Sequence, residues 1–303
     1  MLQSAGTKLT FRQIRNEFGV TPADGETAGG LGGYRISENI GSLTNLPLDN
    51  GIPQSGTIRF SHFYSKKLNI VVKCTGGNLA KANYEAHGQV VGTASGISKS
   101  RPSRSSGGWQ GGKKIFINIT GTYSSNGASR NDWAFKTRST GYWPGGTDMI
   151  IDVSASGNVV GRGGNGGDAS GGDGGHGSNG LRYMSGAQLN NGGYISAGGG
   201  GGGGGSRAEQ NDWGDRNDAE GGGGGGGNGL PAGRGGRGNG QAAAGTMKNG
   251  GQGRSGEDDE EAVGGNGGNG GSNGANGQDA SGGRNKKEEN GRGGKGGKGT
   301  ETY

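Results

Sequence analysis

The chain has 303 residues, of which 82 are glycine and 6 are proline, and its formal net charge of +6 is unevenly divided. Residues 1–160 carry a net charge of +8 and residues 161–303 a net charge of −2. The glycine-rich half is therefore poorly attracted to nucleic acid, despite its Arg-Gly-Gly triplets. The single cysteine, Cys74, excludes an intramolecular disulfide framework, and no apolar stretch reaches the roughly 18 residues that a membrane span needs.

Residues 1–65 are predicted to form a small helical module. Thr10 followed by Gln13 is a capping box, across which Leu9 and Ile14 can pack, and Gly19 is typical of a helix end. A second short turn, capped by Ser61, is predicted further on. A module of this size has little room for a core, so we expect it to dock on a partner. The apolar side chains expected at the docking surface are Phe11, Ile14, Phe18, Phe60, Phe63 and Tyr64.

Residues 66–158 have the period of two that is typical of half-buried strands. Apolar residues alternate from Ile115 to Ile119 and again from Met149 to Val153, and turn signals such as Ser125-Asn126-Gly127 separate the runs. We interpret this region as an all-β sandwich.

Residues 159–303 contain 57 of the glycines and too few large apolar residues to bury a hydrophobic core. Their other residues recur at every third position, as in Arg292, Lys295 and Lys298. A period of three is that of the polyproline II helix, whose backbone makes no internal hydrogen bonds and must find partners when it is buried. The pattern predicts a bundle of laterally bonded polyglycine II helices. The runs 198–205 and 221–227 carry no side chain at all, so we expect them to lie innermost.

Two other interpretations of the glycine-rich half fit less well. Collagen has glycine at every third position and abundant proline, whereas here glycine fills two positions in three. A flexible linker would be rich in serine, which is sparse in this half.

Chemically varied segments separate the glycine runs, which is the layout of a scaffold that displays recognition loops. For the charged segments 257–263 and 284–290, solvated turns are an equally good interpretation. Trp213 lies in an otherwise polar loop, and exposed aromatic residues mark contact surfaces. The candidate receptor-contacting residues are Arg182, Tyr183, Met184, Arg207, Trp213, Arg216, Met247 and Lys248.

Two parts of the sequence resemble phage tail proteins. Residues 4–19 and 52–64 are similar to a segment that recurs in phage tail and virion structural proteins. Residues 158–167 and 190–205 resemble the glycine-rich adhesins at the tail-fibre tips of T-even-type phages. Those adhesins carry a polyglycine II bundle whose variable loops bind an outer-membrane protein or lipopolysaccharide of the host.

The resemblance implies a receptor-binding adhesin, made in the host cytoplasm and carried in the virion at the tail fibre or tail tip. It implies that residues 1–65 attach the chain to other tail proteins. The oligomeric state stays open, and a trimer or attachment to a trimeric fibre is compatible with the resemblance. Two alternatives stay open at this point. One is a structural tail component that binds no receptor, and the other is an Arg-Gly-Gly nucleic-acid binder, which the charge balance disfavours.

No catalytic constellation is visible in the sequence. His62, His87 and His176 are scattered, and the carboxylates at Asp212 and Asp215 fit no calcium-loop template. We therefore expect no enzymatic activity, no metal and no cofactor.

Overall fold

The structure is a computed structural model in which the chain is predominantly β. It describes residues 4–18, 31, 52–53, 55–66, 70–74, 76, 83–85, 89–90, 114–125, 127, 129–137, 148–212, 215–259, 262–263, 266–271, 274–283, 290–298 and 300–302. In the described part of the N-terminal module lie the α-helix α1 (Phe11–Phe18) and a 3-10 helix (Phe60–Phe63).

The strands are short and follow one another along most of the chain. Their bounds are β1 (Ile70–Cys74), β2 (Asn83–Glu85), β3 (Gln89–Val90), β4 (Lys114–Ile119), β5 (Thr122–Ser124), β6 (Trp133–Lys136), β7 (Asp148–Val153), β8 (Asn158–Val160), β9 (Asn179–Tyr183), β10 (Gln188–Asn191), β11 (Tyr194–Ser196), β12 (Ala208–Asp212), β13 (Asp215–Ala219), β14 (Asp258–Asp259), β15 (Ala262–Val263) and β16 (Thr300–Thr302).

The large sheets form the three faces of a parallel β-solenoid. Their strand orders are β10-β7-β4-β1-β3, β11-β8-β5 and β16-β9-β6-β2, and every pair except β1–β3 is parallel. Successive strands in the chain, such as β4, β5 and β6, lie on different faces, and each next coil stacks on the one before it. The region is all-β as predicted, but the predicted sandwich is wrong. A period of two shows that one face of a strand is buried. It is the same whether the strand pairs in parallel or antiparallel with its neighbours.

One corner of the solenoid repeats every 36 residues. Thr122 pairs with Asn158, and Asn158 pairs with Tyr194. The corners also stack by backbone bonds, since the N–H of Asn158 donates to Gly121 and that of Tyr194 donates to Gly157. A Cβ on Gly157 would overlap the carbonyl oxygen of Ile119, which explains the glycine at this close approach.

The hydrophobic core fills the inside of the solenoid, with buried side chains from all three faces. Ile117 and Ile151 come from the first sheet, Val159 from the second, and Phe135 and Leu181 from the third; all five are fully buried. Strands after residue 158 belong to these sheets, so the core continues past that position.

The glycine-rich chain leaves the solenoid at one corner, in two excursions. The first follows β8 and returns at β9, and the second follows β11 and returns at β16. Together they form ten extended segments: segment 1 (161–167), segment 2 (172–178), segment 3 (197–205), segment 4 (220–228), segment 5 (233–239), segment 6 (241–246), segment 7 (250–256), segment 8 (266–271), segment 9 (275–281) and segment 10 (290–298).

Segments 3 and 4 are the centre of this bundle. Segment 3 makes backbone hydrogen bonds to segments 1, 2, 4, 8, 9 and 10, and segment 4 makes them to segments 1, 3, 5, 6, 7 and 8. The side-chain-free runs 198–205 and 221–227 lie in these two segments and are buried over their whole length. Each central segment is therefore surrounded on every side by backbone, which leaves no space for a Cβ.

Side chains on the outer segments bond to the backbone of their neighbours. Asn165 on segment 1 and Asp168 directly after it accept hydrogen bonds from the N–H groups of Arg234 and Arg237. Asn266 and Asn269 on segment 8 accept from segment 7 in the same way. The asparagines of the Gly-Gly-Asn repeat thus satisfy outward-facing N–H groups rather than only facing water.

The N-terminal module has a small core of its own. The predicted capping box is confirmed, since Gln13 Oε1 accepts from the Thr10 N–H at 2.8 Å and Thr10 Oγ1 accepts from the Gln13 N–H at 3.3 Å. Leu9 and Ile14 pack in one buried cluster with Phe63. The predicted cap at Ser61 is wrong, because Ser61 lies inside the 3-10 helix. The helix begins at Phe60, after the N-cap Arg59, whose N–H donates to His62 Nδ1. Gly19 lies outside the described residues.

Candidate functional site

The glycine bundle has two ends with different loops. The chain enters it after β8 and β11 and leaves it before β9 and β16, so all four crossings lie at one end, the sheet end. Odd-numbered segments run away from the sheets and even-numbered segments return. Five connections therefore lie at the opposite end, the far end: 168–171, 206–219, 240, 257–265 and 282–289. The sheet end has the short connections 229–232, 247–249 and 272–274.

The central loop of the far end is a β-hairpin, which we call the central hairpin (206–220). It connects segments 3 and 4, the two innermost segments of the bundle. Its strands β12 and β13 pair from Ala208↔Ala219 to Asp212↔Asp215, and both alanines are fully buried. The central hairpin therefore projects from the middle of the far end.

Four other connections meet the base of this hairpin. The residues that flank the hairpin accept two backbone bonds: Gly205 from the N–H of Ser170, and Gly221 from the N–H of Asn239, the last residue of segment 5. The connection 257–265 contains the β14–β15 hairpin, which also contacts β12 and β13. The fourth connection, 282–289, joins segments 9 and 10. The far end thus brings together loops that are separated by more than 100 residues of sequence.

The far end is predominantly acidic. The central hairpin contains two arginines and five carboxylates, and 257–263 contains five carboxylates and no basic residue. Only 284–289 has a small basic excess, with three basic and two acidic residues. A partner of this surface is favoured if it carries positive charge.

The predicted contact residues divide between three places. Arg207, Trp213 and Arg216 belong to the central hairpin. Arg207 is half-buried, and Arg216 pairs with Asn211 in the hairpin ladder. Trp213 lies outside the described residues, between β12 and β13 in the sequence.

Met247 and Lys248 lie in a turn of the sheet end, away from the central hairpin. Met247 is half-buried, and Lys248 Nζ lies 5.5 Å from the centre of the Tyr194 ring, a cation–π contact with β11. These two residues are separated from the far-end loops by the length of the bundle, roughly 25 Å for eight residues.

Arg182, Tyr183 and Met184 belong to the solenoid. Arg182 Nε lies 3.5 Å from Glu301 of β16, and its guanidinium lies 5.7 Å from the Trp133 ring. Tyr183 is half-buried against the core, and Met184 is 3% exposed within it. The expectation that Met184 contacts a receptor is incompatible with this burial. The sequence alone did not show that this segment lies at the end of a strand in a buried sheet.

The predicted docking residues lie in and around the N-terminal core. Ile14 and Phe63 are fully buried, Phe60 and Tyr64 are half-buried, and Phe11 is 41% exposed and packs edge-on against Phe60 at 4.9 Å. Tyr64 donates to the Thr7 carbonyl through its hydroxyl. The side chain of Phe18 lies outside the described residues.

Comparison with protein families gives a match over residues 89–303 to the phage tail fibre adhesin Gp38 family. The chain belongs to this family. It is accordingly a component of the phage tail, and the family is one of adhesins rather than of enzymes. No curated protein matches the chain.

One solved structure resembles the chain, the crystal structure of the gp37-gp38 adhesin tip complex of the long tail fiber of bacteriophage S16. It is 21% identical, the match covers 84% of this chain and 86% of that chain, and the TM-score is 0.39. Among the described residues, no helix is long and apolar enough to cross a membrane. The same residues contain no group of three or more His, Cys, Asp or Glu side chains that could hold a metal ion.

Proposed function

We propose that this chain is a receptor-binding adhesin whose far-end loops recognise the bacterial surface. The observation that carries the proposal is the distribution of the loops between the two ends of the bundle. Both described hairpins of the bundle and the charged connection 282–289 share the far end, while the sheet end has only short turns. A purely structural packing element has no need to gather its longest, chemically most varied loops at one exposed end.

The scaffold is proposed to be a bundle of polyglycine II helices. Along segments 1 and 3, hydrogen-bond partners advance by three residues on both sides, from Gly164–Gly199 to Gly167–Gly202. The same step of three recurs between segments 3 and 10. A step of three in both partners is the repeat of a three-fold helix, which supports this assignment.

The receptor is proposed to be an outer-membrane protein with basic or polar surface loops. The acidic far end would be repelled by the phosphate groups of lipopolysaccharide, which makes that receptor the less favoured one. Arg207, Trp213 and Arg216 are the proposed contact residues, because aromatic and arginine side chains dominate contact energies. Met247 and Lys248 are not part of the proposed contact surface, since they lie at the sheet end.

The N-terminal module is proposed to attach the adhesin to another tail fibre protein. Its one exposed large apolar side chain among the described residues is Phe11, next to the half-buried Phe60. No catalytic step is proposed for the chain.

The test is binding of the fluorescently labelled full-length chain to intact cells from a panel of enteric bacteria. Replacing residues 209–218 with a Ser-Gly sequence of equal length is expected to abolish labelling and to leave the thermal unfolding temperature of the chain unchanged. The control replaces Met247 and Lys248 with serine at the sheet end, which should leave labelling intact. Undiminished labelling after the hairpin replacement would contradict the proposal.

A further inference from the structure

The described side chains of the central hairpin lie at its base. Ser206, Ala208 and Ala219 are buried there, and the two alanines form a separate small cluster. An isolated two-stranded hairpin is marginally stable in water. Its direction relative to the other far-end loops therefore depends on the contacts of β14 and β15 with its strands and on bonds at its base.

Two side chains make these bonds, one at each strand of the hairpin. Asn290 Oδ1 accepts from the N–H of Ser206 at 3.0 Å, and Asn290 Nδ2 donates to the carbonyl of Gly282 at 3.2 Å. The amide of Asn290 thus joins the first strand of the hairpin to both ends of the connection 282–289.

Glu257 makes the corresponding bond on the other side. Its Oε2 accepts from the N–H of Glu220 at 3.1 Å, and its own N–H donates to the carbonyl of Glu220 at 2.8 Å. Glu257 directly precedes β14, so this bond joins the second strand of the central hairpin to the acidic hairpin. Next to the hairpin base, Ser170 and Asn239 bond to Gly205 and Gly221 through their backbone N–H groups.

We propose that Asn290 and Glu257 are positioning residues that hold the bases of the three long far-end loops in one preformed arrangement. This inference rests on the proposed function. Neither residue has to touch the receptor. Each restricts the motion of the loops already in the unbound protein. The conformational entropy of ordering the loops is therefore lost during folding and does not weaken receptor binding. Both sites need a side-chain acceptor, and the Asn290 site also needs a donor, which the carboxylate of aspartate lacks.

The experiment compares four variants of the full-length chain: Asn290→Ala, Asn290→Asp, Glu257→Ala and Glu257→Gln. Amide hydrogen exchange of the segments containing Ser206 and Glu220 is measured at residue resolution, together with the affinity for intact cells of a strain that the wild-type chain labels. The alanine variants are expected to accelerate exchange at Ser206 or Glu220 about tenfold, in line with the loss of one hydrogen bond. They should weaken cell binding and leave exchange in the runs 198–205 and 221–227 unchanged.

The conservative variants separate positioning from general damage. Glu257→Gln keeps an acceptor and should retain wild-type exchange and binding. Asn290→Asp keeps the bond from Ser206 but loses the bond to Gly282, so its binding should lie between those of wild type and Asn290→Ala.

Unchanged exchange in both alanine variants overturns the inference whatever the binding result. Faster exchange with undiminished cell binding in both also overturns it, because the loops would then need no fixed arrangement. A wild-type chain that labels no strain contradicts the proposed function and the positioning role together, while the exchange data still report whether the bonds exist.

Discussion

Asp173 Oδ1 accepts a hydrogen bond at 2.7 Å from the backbone N–H of Arg292, a residue 119 positions further along the chain. His176 and Lys295 are bonded in the same way at the same separation, and so are Asn179 and Lys298. Two of the bonds join segment 2 to segment 10, and the third joins β9 to the end of segment 10. The side-chain acceptors recur at the same step of three residues as the backbone bonds, so they strengthen the attachment of segment 10 along its length.

Removing two of these acceptors should therefore loosen segment 10. The double variant Asp173→Ala and His176→Ala is expected to lower the free energy of unfolding by about 1 kcal/mol per lost bond. Arg292→Ala is the matched control, because it shortens an exposed side chain and keeps the N–H that donates. Equal losses in the control and the double variant, measured by denaturant unfolding, would show that the acceptors have no special role.

A single methyl group in the centre of the bundle should be far more damaging. A Cβ on Gly201 would overlap the carbonyl oxygen of Asn165, which is backbone and cannot rotate away. We expect Gly201→Ala to cost about 3 kcal/mol or more. Gly192→Ala is the control, since its Cβ would meet the Val153 carbonyl oxygen at an ordinary 3.4 Å. Comparable unfolding temperatures for the two variants would contradict the packing described for segment 3.

The buried thiol of Cys74 should make stability depend on alkaline pH. Burial raises its pKa to about 12, against a smaller lowering effect of the hydrogen bond to Tyr123. The unfolded chain releases this proton near pH 9 and the folded chain does not. The contribution of the neutral, buried thiol to the free energy of unfolding is therefore fully present below pH 9. It falls by about 1.4 kcal/mol per pH unit from there to about pH 12. Cys74→Ala should remove this part of the pH dependence, as measured by denaturant unfolding at pH 8, 9 and 10. If the free energy of unfolding of the wild type and of Cys74→Ala depends on pH in the same way, the prediction is contradicted.

Deletion of residues 1–65 should separate attachment from folding. The buried cluster of the N-terminal module shares no described residue with the solenoid core, so the remaining chain should keep its unfolding temperature. Phage carrying the truncated chain should lack it in purified particles, as detected by immunoblotting. Normal incorporation would refute the docking role of this module.

The sequence predicts the parts of this fold that depend on local chemistry. Thr10 and Gln13 indicate the start of α1 because a capping box is formed within one turn. Residues 198–205 and 221–227 indicate the centre of the bundle because only glycine fits there. Pairing between distant strands leaves no such local signal. The parallel coils were missed because Ile115 to Ile119 alternate in the same way in a sandwich.

The end of the bundle at which each loop lies could not be predicted, for a related reason. Which loops share an end depends on the number of times the chain crosses the bundle, and that number depends on whether β9, β10 and β11 interrupt the glycine segments. A short polar-aromatic segment between glycine runs, such as Arg182 to Met184, has the same composition in a display loop and in a strand. The bonds of Asn290 and Glu257 join residues 84 and 37 positions apart, so no local pattern indicated them.

The most direct test of the account is competition for the bacterial surface. Host cells are incubated with the purified wild-type chain at saturating concentration, and adsorption of the phage that carries this chain is then measured. The account predicts that the wild-type chain blocks adsorption, while the chain with residues 209–218 replaced does not. Undiminished adsorption in the presence of the wild-type chain, or equal blocking by the hairpin variant, would contradict receptor binding through the far end.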